Sequence, residues 1–385
     1  MRSINPIRES CEMMMKNKWQ YRKIGDVCVV ERGSSPRPID QFITEDGGGI
    51  NWIKIGDTTE SMYITETAQK IKPEGMKKSR YVEPGDFLLS NSMSFGRPYI
   101  LKIDGCIHDG WLVLKDKDEI FDKRFLYYYL SSKATYQKFK HMAVGGVVNN
   151  LNSEMVRKID VPVPSKDEQM DTADLLDKIC NIISLRKREL NCLDDLIRAR
   201  FVELFGDMFL NTMSWNEEPL EEMANVVSGI TKGRKLKAQC TTEVPYMAVS
   251  NVKDGYIDWT TVKTIEATEQ EINQYRLLPE DVLMTEGGDP DKLGRGAIIK
   301  EPLENCIHQN HIFRVRLNAT VILPEFFAEY LRHQKSKRYF LGCAKQTTGI
   351  ASINMRQLKA LPVLLPPLEL QNQFADFVKV VDKSK

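Results

Sequence analysis

Residues 151–179, LNSEMVRKIDVPVPSKDEQMDTADLLDKI, align without a gap with residues 353–381, INMRQLKALPVLLPPLELQNQFADFVKVV. The identical positions include Asn152 and Asn354, Pro164 and Pro366, Gln169 and Gln371, and Ala173-Asp174 and Ala375-Asp376. A match of this length within one chain indicates a duplication, because a repeated sequence marks a repeated structural unit. Each copy passes from a Pro-rich segment into a helix. The sequence therefore predicts two globular halves with one architecture.

The repeat extends toward the N-terminal side of both segments. RYVEPGDFLLS (80–90) corresponds to RLLPEDVLMT (276–285), and a Gly-Arg pair follows at 96–97 and at 294–295. Cys-Ile-His comes next at 106–108 and 306–308, and RFLYYYLSSK (124–133) then matches EFFAEYLRHQ (325–334). The correspondence is looser between KIGDVCVVERGSS (23–35) and PLEEMANVVSGIT (219–231). The duplication therefore covers most of the chain.

The repeated Cys-Ile-His tripeptide marks either a site or only the duplication. A zinc site needs further ligands at suitable spacing. The other histidines are not repeated between the halves: His141, His311 and His333. We therefore interpret Cys106 and Cys306 as small apolar residues buried where a strand begins, a common place for free cysteine. A polar contact of His108 and His308 near a binding surface is the alternative that the sequence leaves open.

The composition is that of an ordinary cytoplasmic protein of two or three domains. Of the 385 residues 42% are hydrophobic and 28% are charged, which argues against disorder and against a fibrous repeat. No run approaches the roughly 18 apolar residues of a membrane span, and the start of the chain lacks the features of a signal peptide. The eight cysteines form no CxxC pair, which predicts reduced thiols. The net charge of +1 means that any nucleic-acid surface must be local.

The pattern of apolar and turn-forming residues predicts an α+β fold in each half. Short β-rich runs such as VCVVE, NWIKI, DFLLS and WLVLK alternate with Gly, Pro and Asp, which predicts a mixed sheet. The aromatic runs 124–140 and 325–341 are interpreted as helices with basic residues toward their ends. Each leads into a Gly-containing polar loop, VGGVVNNLN or TTGIASIN, where backbone amides could approach phosphate. Such basic runs are also typical of a solvated helix face.

The segment from Lys166 to about Phe205 is predicted to be one long helix. Its apolar residues recur at alternating steps of three and four, with Arg186 and Arg200 at the two remaining positions. The seam residues are Leu176, Ile179, Ile183, Leu190, Leu193, Ile197 and Leu204. About 40 helical residues span about 60 Å, and Gly206 is expected to end the helix. At this length the pattern favours a coiled coil over an amphipathic helix lying on a core.

The second copy begins the same helix near residue 367. Its seam residues are Leu370, Phe374, Phe377 and Val381, and the sequence given ends at Lys385. We therefore expect the second helix to be either short by design or cut short in this chain.

The sequence lacks the common motifs that carry chemistry. EGGDPDKLGRG (286–296) lacks the spacing and the Ser or Thr of a phosphate-cradling GxxxxGK[ST] loop. No GxGxxG follows a strand, and neither HExxH nor GxSxG occurs. We therefore predict a binding protein with no catalytic residues and no metal ligands.

Each globular half ends in a Pro-rich segment that leads into a long helix, and the first of these helices ends with the sequence LIRARFVELFGD (196–207). In these features the chain resembles the specificity subunit of type I restriction-modification systems. The resemblance covers the chain from about Trp19 onward. It implies two target recognition domains, separated by long antiparallel coiled-coil helices, that each read one half of a split DNA site. The implied organisation is residues 1–18 as an N-terminal extension, 19–165 as the first recognition domain, 166–213 as the central spacer helix, 214–366 as the second domain and 367–385 as the C-terminal spacer helix.

The resemblance also implies the partners. Two methylation subunits would dock on the helices and domains and bring S-adenosylmethionine to methylate adenine in double-stranded DNA. Restriction subunits, where present, would bring translocation and cleavage driven by ATP with Mg²⁺. The chain itself would bind no cofactor and catalyse nothing.

We expect the base-reading residues to lie in polar loops, because Arg suits guanine and Asn or Gln suits adenine through paired hydrogen bonds. In the first half the candidates are Ser34, Ser35, Arg37, Ser90, Asn91, Arg97, Asn149 and Asn150. In the second half they are Thr231, Arg234, Thr285, Glu286, Arg295, Gln346, Thr347 and Thr348. Turn formation is the alternative role of the Ser, Thr and Asn residues.

Two basic runs are candidates for phosphate contact. Lys77 and Lys78 belong to the first, and the second has four bases within six residues without an acid. The residues of the second run are Lys232, Arg234, Lys235 and Lys237. A solvated surface is the alternative interpretation of either run.

Two other classes of function compete with this interpretation. A stand-alone nuclease or methyltransferase would turn over DNA without partners. A coiled-coil assembly scaffold would bind partner helices but leave no sequence-specific footprint on DNA.

Overall fold

The computed structural model describes residues 19–91, 96–116, 118–143, 150–234, 240–290, 293–347 and 349–385. These residues form two compact units, which are divided between Ser184 and Leu185. Unit 1 is the described chain up to Ser184, and unit 2 is the described chain from Leu185 onward. Within the described ranges no helix is both long enough and apolar enough to cross a membrane.

Unit 1 alternates short strands with short helices. Its strands are β1 (Tyr21–Lys23), β2 (Val29–Arg32), β3 (Ile43–Thr44), β4 (Ile50–Ile53), β5 (Tyr63–Ile64), β6 (Lys70–Ile71), β7 (Arg80–Val82), β8 (Phe87–Ser90), β9 (Pro98–Leu101), β10 (Gly105–Ile107), β11 (Trp111–Lys115) and β12 (Asp160–Pro162). Its helices are α1 (Ile24–Val27), α2 (Pro73–Met76), α3 (Lys123–Ser131), α4 (Lys133–Ala143), α5 (Ser153–Arg157) and the start of α6 (Lys166–Phe205).

The strands of unit 1 form two sheets and a ribbon. One sheet has the order β2-β11-β8-β9-β5 and the other the order β3-β6-β4-β10-β7, while β1 pairs with β12. Most neighbours are antiparallel, but β10 is parallel to β4 and β5 is parallel to β9. The prediction of a mixed sheet is therefore confirmed.

The central strands β8 and β11 are buried on both faces, which explains their continuous apolar sequences DFLLS and WLVLK. Phe87 and Leu112 point into a core that includes residues of α3 and α4. Leu88 and Val113 point to the opposite face, into a core shared with Ile53 of the other sheet. A strand covered on both sides can be apolar at every position.

Unit 2 repeats this order of elements. Its strands are β13 (Asn216–Pro219), β14 (Ala224–Ser228), β15 (Thr242–Met247), β16 (Lys263–Ala267), β17 (Val282–Thr285), β18 (Gly287–Gly288), β19 (Gly296–Ile298), β20 (Ile307–His308), β21 (Ile312–Leu317), β22 (Lys345–Thr347), β23 (Ile350–Ser352) and β24 (Pro362–Leu365). Its helices are the rest of α6, then α7 (Glu269–Tyr275), α8 (Pro324–Arg332), α9 (Gln334–Cys343), α10 (Met355–Lys359) and α11 (Leu368–Ser384).

The central strand pairing in unit 2 matches that in unit 1. The order β14-β21-β17-β19 corresponds to β2-β11-β8-β9, and the ribbon β13-β24 corresponds to β1-β12. The parallel pair β15 and β20 corresponds to β4 and β10. The duplication predicted from the sequence is thus a duplication of topology.

The two exit segments fold identically around a buried glutamine. In unit 1 the side-chain carbonyl of Gln169 accepts from the Asp122 N–H at 2.8 Å, and its amide donates to the carbonyls of Ile120 and Pro164. The side chain thereby ties the start of α6 to the start of α3.

Gln371 makes the same bonds in unit 2. It accepts from the Leu323 N–H at 2.9 Å and donates to the carbonyls of Val321 and Pro366. Asn152 and Asn354 also share one role, since each caps the N-terminus of the short helix that follows it. These identical residues of the repeat therefore make the same contacts in both units.

The aromatic runs are helical, as predicted, but each is divided into two helices. The breaks fall at Ser132 and His333, which both adopt an extended conformation. Each side chain accepts a hydrogen bond from the first turn of the next helix, at Thr135 N and Lys335 N respectively. These bonds start a new helix after each break.

Among the described residues, the predicted seam of α6 is covered over only part of its length. In unit 1, Ile179 and Ile183 are 43% and 49% exposed, and Leu176 is half-buried. In unit 2, Leu190 and Leu193 are half-buried and Ile197 is buried. The exposure of the seam residues therefore decreases from Leu190 to Ile197.

The prediction that Arg200 and Leu204 continue the seam is confirmed: Leu204 packs against the core cluster that includes Phe374 and Val381, and the Arg200 guanidinium lies 5.8 Å from the centre of the Phe377 ring. The most deeply buried positions of this part of α6 are Ile197, Phe201 and Phe205, at steps of four. This end of α6 therefore lies on the core of unit 2 as well as against α11, since Phe201 contacts both Phe326 and Phe374. Gly206, with a φ of +74°, follows the last helical residue, as expected.

Within unit 2 the helix α11 runs antiparallel to the second part of α6. Near the start of α11, Phe374 contacts Phe205 at the end of α6. At the other end the Lys385 ammonium lies 2.8 Å from a carboxylate oxygen of Asp194, and Arg186 donates to the Lys385 carbonyl. The expected antiparallel pairing of the two long helices is confirmed for this part of the chain.

Candidate nucleic-acid interface

Three loops of unit 1 meet at Asn91, directly after β8: the predicted loops at Asn91 and at Asn150, and the turn that follows His108. The Asn91 N–H donates to the Gly110 carbonyl at 2.9 Å, and the Asn91 carbonyl accepts from the Leu151 N–H at 3.0 Å. Its side-chain amide donates to the Asp109 carbonyl at 2.9 Å. Asn91 is buried, so its role in the structure is to join the loops.

Unit 2 has the same junction with a different residue at its centre. The Glu286 N–H donates to the His311 carbonyl at 3.0 Å, and the Glu286 carbonyl accepts from the Ile353 N–H at 2.9 Å. The backbone of the junction is thus repeated while its side chains differ. This combination is what a common frame for two different recognition surfaces requires.

The strand register shows one extra residue in the second copy. Ser90 lies opposite Trp111 in unit 1, and Thr285 lies opposite Ile312 in unit 2. Trp111 follows the histidine of the repeated tripeptide by three positions, and Ile312 follows it by four. The turn that leaves this tripeptide is therefore longer in unit 2.

A glycine at the end of the first long strand brings another loop to each junction. A Cβ on Gly33 would lie 2.2 Å from the His108 carbonyl oxygen, and one on Gly229 would lie 1.9 Å from that of His308. Only glycine permits this approach. Residues 33–37 and 229–234 are thereby held beside the turns that follow the two histidines.

The two histidines carry their protons on different nitrogens. His108 Nδ1 accepts from the Gly110 N–H at 2.9 Å, so Nε2–H faces Asp109 at 2.9 Å. His308 Nδ1–H instead donates to the Ile312 carbonyl at 3.1 Å. His308 is fully buried, and burial lowers its pKa to about 4. The open alternative of a polar contact near the binding surface therefore fits His108, whereas His308 belongs to the interior.

Cys106 and Cys306 are both fully buried, as predicted. Burial raises the pKa of the Cys106 thiol and raises that of Cys306 to about 12. Both thiols therefore remain protonated at neutral pH and serve as apolar packing groups.

Asp109 is the centre of a polar cluster that we call the Asp109 cluster: Ser35, Arg37, His108 and Asp109. The Ser35 hydroxyl donates to Asp109 Oδ1 at 2.8 Å, and Arg37 Nη2 lies 3.6 Å from Asp109 Oδ2. The Asp109 carbonyl accepts from Arg32 Nε at 3.1 Å. The predicted residues Ser35 and Arg37 are thus brought to the junction by a residue that was not predicted.

The charge of Asp109 is favoured by its neighbours. Partial burial raises its pKa, but the hydrogen bond from Ser35 and the electrostatic interactions with His108 and Arg32 outweigh that effect, so the net shift of the pKa is downward. Asp109 is therefore a carboxylate at neutral pH.

The other predicted residues of unit 1 differ in exposure. Lys77, Lys78 and Arg97 are exposed. The Ser34 hydroxyl donates to the Lys78 carbonyl at 3.3 Å. Ser90 is buried, and its hydroxyl accepts from the Arg97 N–H at 3.0 Å. The structure therefore gives Ser34 and Ser90 contacts within the protein, in line with the turn-forming alternative.

In the basic run of unit 2, Thr231 and Lys232 are exposed but Arg234 is engaged within the protein. Arg234 donates to both carboxylate oxygens of Glu271 at 2.6 and 2.7 Å, and to the Glu266 carbonyl at 3.0 Å. This hydrogen-bonded ion pair lowers the pKa of Glu271 to about 2. Arg234 therefore fixes this loop to α7.

At the junction of unit 2 a half-buried acid, Glu286, is paired with an exposed histidine, His311. Glu286 Oε2 lies 2.6 Å from His311 Nδ1. Thr285 is buried and Arg295 is half-buried. The two units therefore present different chemistry at equivalent places, an Arg-Asp pair in unit 1 and a Glu-His pair in unit 2.

The polar segment TTGIASIN is not an open loop as expected. Gln346 and Thr347 lie on β22, which forms a hairpin with β23, and β23 also pairs with β18. A Cβ on Gly287 would lie 2.9 Å from the Ala351 carbonyl oxygen, so this glycine allows the strands to meet. Part of the backbone that we expected to face phosphate is thus paired in a small sheet.

Four candidates lie outside the described residues: Asn149, Lys235, Lys237 and Thr348. Asn150 is described and is exposed, next to the junction residue Leu151.

Sequence reasoning missed Asp109 and His311. Both follow the repeated Cys-Ile-His, at the point where the two copies stop being alike. A polar residue where a repeat diverges, beside a frame that is the same in both copies, is the signal that could have identified them.

In the part of the chain that the structure describes, no group of three or more His, Cys, Asp or Glu residues is placed to hold a metal ion.

The family model described as "Type I restriction modification DNA specificity domain" matches residues 16–194 and 213–385. The chain is 22% identical to the type I restriction enzyme EcoKI specificity subunit of Escherichia coli (strain K12), over 85% of this chain and 72% of that protein. It is also 22% identical to the type I restriction enzyme MjaVIII specificity subunit of Methanocaldococcus jannaschii, over 97% and 88% of the two chains.

Solved structures show the same fold. The structure of the type I restriction-modification system S subunit from M. genitalium is similar with a TM-score of 0.54 and 16% identity, over 100% of this chain and 92% of that chain. A chain from a study of complex assembly and conformational transition of the type I R-M system is similar with a TM-score of 0.52 and 14% identity, over 95% and 90%.

Proposed function

The chain belongs to the family of type I restriction modification DNA specificity domains, and on that premise we propose that it is the DNA-reading subunit of a type I restriction-modification complex. Each unit reads one half of a bipartite site in double-stranded DNA. The chain supplies sequence specificity, and its partners supply the chemistry.

This proposal rests on the loop junction that is repeated in both units, at Asn91 and at Glu286, with different side chains. Asn91 and Glu286 hold equivalent loops through equivalent backbone hydrogen bonds, yet the polar groups beside them differ. Two copies of one frame with different surfaces suit a target with two unlike halves. Polar side chains on loops are also the groups that read base edges in the major groove.

The partners belong to the same proposal. Two methylation subunits bring S-adenosylmethionine and methylate adenine, and restriction subunits, in complexes that have them, bring ATP- and Mg²⁺-dependent cleavage. The cytoplasm is where such a complex meets cellular DNA. Support for a protein partner comes from α6 in unit 1, where Leu175, Ile179, Ile182 and Ile183 are between 43% and 64% exposed.

The test is to map methylated adenines in cells that carry this chain with its methylation subunits. We expect one bipartite motif, which is absent when this chain is omitted. The purified chain alone, incubated with DNA and the same cofactors, should show no turnover, which separates it from a stand-alone enzyme. A complex that methylates without a defined motif or footprint would favour the scaffold instead.

Exchange of one unit makes the test sharper. Replacing residues 20–165 by the equivalent part of a relative should change the bases of one half-site only. The reciprocal exchange of residues 214–366 is the matched control and should change the other half-site. A change in both halves from either exchange would contradict the proposal that the units read independently.

A further inference from the structure

Arg37 differs from the other members of the Asp109 cluster in its exposure. Its side chain is 82% exposed, compared with 34% for Asp109 and 42% for His108. A long charged side chain this exposed usually samples many rotamers. Here a carboxylate, that of Asp109, lies within ion-pair distance of the guanidinium.

The carboxylate of Asp109 is held from several sides. Its Oδ1 accepts from Ser35 Oγ at 2.8 Å and lies 2.9 Å from His108 Nε2, while its Oδ2 faces Arg37 Nη2 at 3.6 Å. Its backbone carbonyl accepts from Arg32 and from Asn91. One carboxylate oxygen is thus occupied by other donors, and the second is left for the guanidinium.

The Arg37 guanidinium, beside Asp109 and otherwise exposed, has donors left for a ligand. It carries five N–H groups, and one edge turned toward Asp109 leaves another edge with two parallel donors. Guanine offers two acceptors, O6 and N7, in the major groove at the spacing of that edge. A phosphate is disfavoured because the adjacent carboxylate cancels most of the positive charge that would attract it.

The neighbouring cations do not share this arrangement. Arg32 Nε donates to the Asp109 carbonyl, and Arg80 pairs with Glu31 at 2.9 Å, so both are engaged with the body of unit 1. Lys77 is exposed, but a lysine ammonium is a point charge that suits phosphate and lacks the two parallel N–H donors of a guanidinium.

We propose that Arg37 reads a guanine in the half-site of unit 1 and that Asp109 is the residue that positions it. This inference rests on the proposed function, and it adds the base class and the residues responsible.

The experiment uses the purified complex of this chain with its methylation subunits and a panel of DNA duplexes in which each base pair of the mapped motif is replaced in turn. The wild-type complex should discriminate against loss of one G·C pair by roughly tenfold to a hundredfold. Arg37→Ala should bring that ratio close to one and leave the ratios at all other positions unchanged. Arg37→Lys should retain only part of the discrimination, because lysine lacks the paired donors.

The matched control is Lys77→Ala, which removes an exposed cation of the same unit. It should weaken binding to every duplex alike and lower the salt dependence, without changing any ratio.

Asp109→Asn tests the positioning role. The variant keeps the size of the side chain but loses its charge, and it should relax discrimination at the same base pair as Arg37→Ala. The double variant should be no worse than Arg37→Ala alone, because coupled residues are not additive. A purely structural role would instead lower the thermal stability and affect all positions together.

Two results would overturn the inference: a half-site of unit 1 without a G·C pair, or an Arg37→Ala complex that keeps the full ratio at each position. The assignment of the half-site to unit 1 comes from the exchange of residues 20–165. A wild-type complex with no bipartite motif would overturn the proposed function itself, so the two failures are distinguishable.

Discussion

Gln371 shows how one side chain can fix the course of a whole segment. It is fully buried, and it saturates one backbone N–H and two backbone carbonyls where the exit segment turns into α11. The bond to the Pro366 carbonyl is buried, and the bonds to Val321 and Leu323 are partly buried. Gln169 does the same in unit 1, which explains why this residue type recurs in both copies.

Replacing Gln371 by Ala should lower the free energy of unfolding of unit 2 by about 3 kcal/mol, because three backbone groups, one buried and two partly buried, lose their partner. The measurement is denaturant unfolding of the full chain. Gln373→Ala on the exposed face of the same helix is the matched control and should change stability by less than about 0.5 kcal/mol. Equal effects of the two substitutions would show that the buried bonds are not the source of stability.

Buried His308 makes unit 2 sensitive to acid. Its pKa falls from an ordinary 6.5 in the unfolded chain to about 4 in the folded chain, mainly through burial and then through the charge of Arg314. Between these values the unfolded state binds a proton that the folded state excludes. Stability is therefore lost as the pH falls from about 6.5 toward 4.

We expect this histidine to account for about 2 kcal/mol of the stability lost between pH 7 and pH 5. Equilibrium unfolding of wild type and His308→Gln at both pH values measures it. The variant should be less stable at pH 7, since it disturbs a buried contact, but should lose less on acidification. The idea fails if wild type and variant lose the same amount.

Among the elements, the basic run before β15 combines two different roles. Arg234 is bound to Glu271 at the start of α7, whereas Lys232 is exposed. Net positive charge in a sequence therefore does not measure the charge available to DNA.

Changing Lys232, Lys235 and Lys237 together to Ala should weaken binding of the complex to all DNA sequences alike. The slope of log affinity against log salt should fall by about one for each phosphate that the variant no longer neutralises. Arg234→Ala is the contrasting variant: we expect it to destabilise the fold by about 2 kcal/mol with no change in the salt slope. An unchanged slope in the triple variant would identify the run as a solvated surface.

At the scale of the whole molecule, α6 runs without interruption from Lys166 to Phe205, through the boundary between the two units. Its residues on either side of Ser184 belong to different compact units. A continuous helix is stiff over this length, so its length is expected to set the number of unread base pairs between the half-sites.

Inserting four helix-forming residues between Asn181 and Ile182 lengthens α6 by about 6 Å, and DNA rises about 3.4 Å per base pair. We expect one added base pair in the spacer of the methylated motif, since four residues also turn the helix slightly beyond a full turn. The same insertion after Leu210, beyond the helix, is the matched control and should leave the spacer unchanged. An unaltered spacer in an active α6 variant would show that the length of this helix does not set the distance between the half-sites.

The sequence by itself determined the duplication, the α+β class, the long helix and its end. These features depend on local patterns: the matched Asn and Gln pairs, the apolar runs of central strands, and Gly206 after Phe205. Each of these residues acts on neighbours within a few positions or in the same way in both copies. A repeat also strengthens the prediction of the fold, because two segments with the same residues at the same positions indicate one structure.

The tertiary structure alone decided which polar residues meet. Ser35 and Asp109 are 74 positions apart in the chain, and nothing in either neighbourhood signals the contact. The burial of Phe201 and Phe205 on α6 was decided for the same reason, since it depends on the surface that the helix lies on. Pairing between distant segments depends on how the strands order themselves, so the identity of a recognition surface emerges only when the fold brings its loops to one edge.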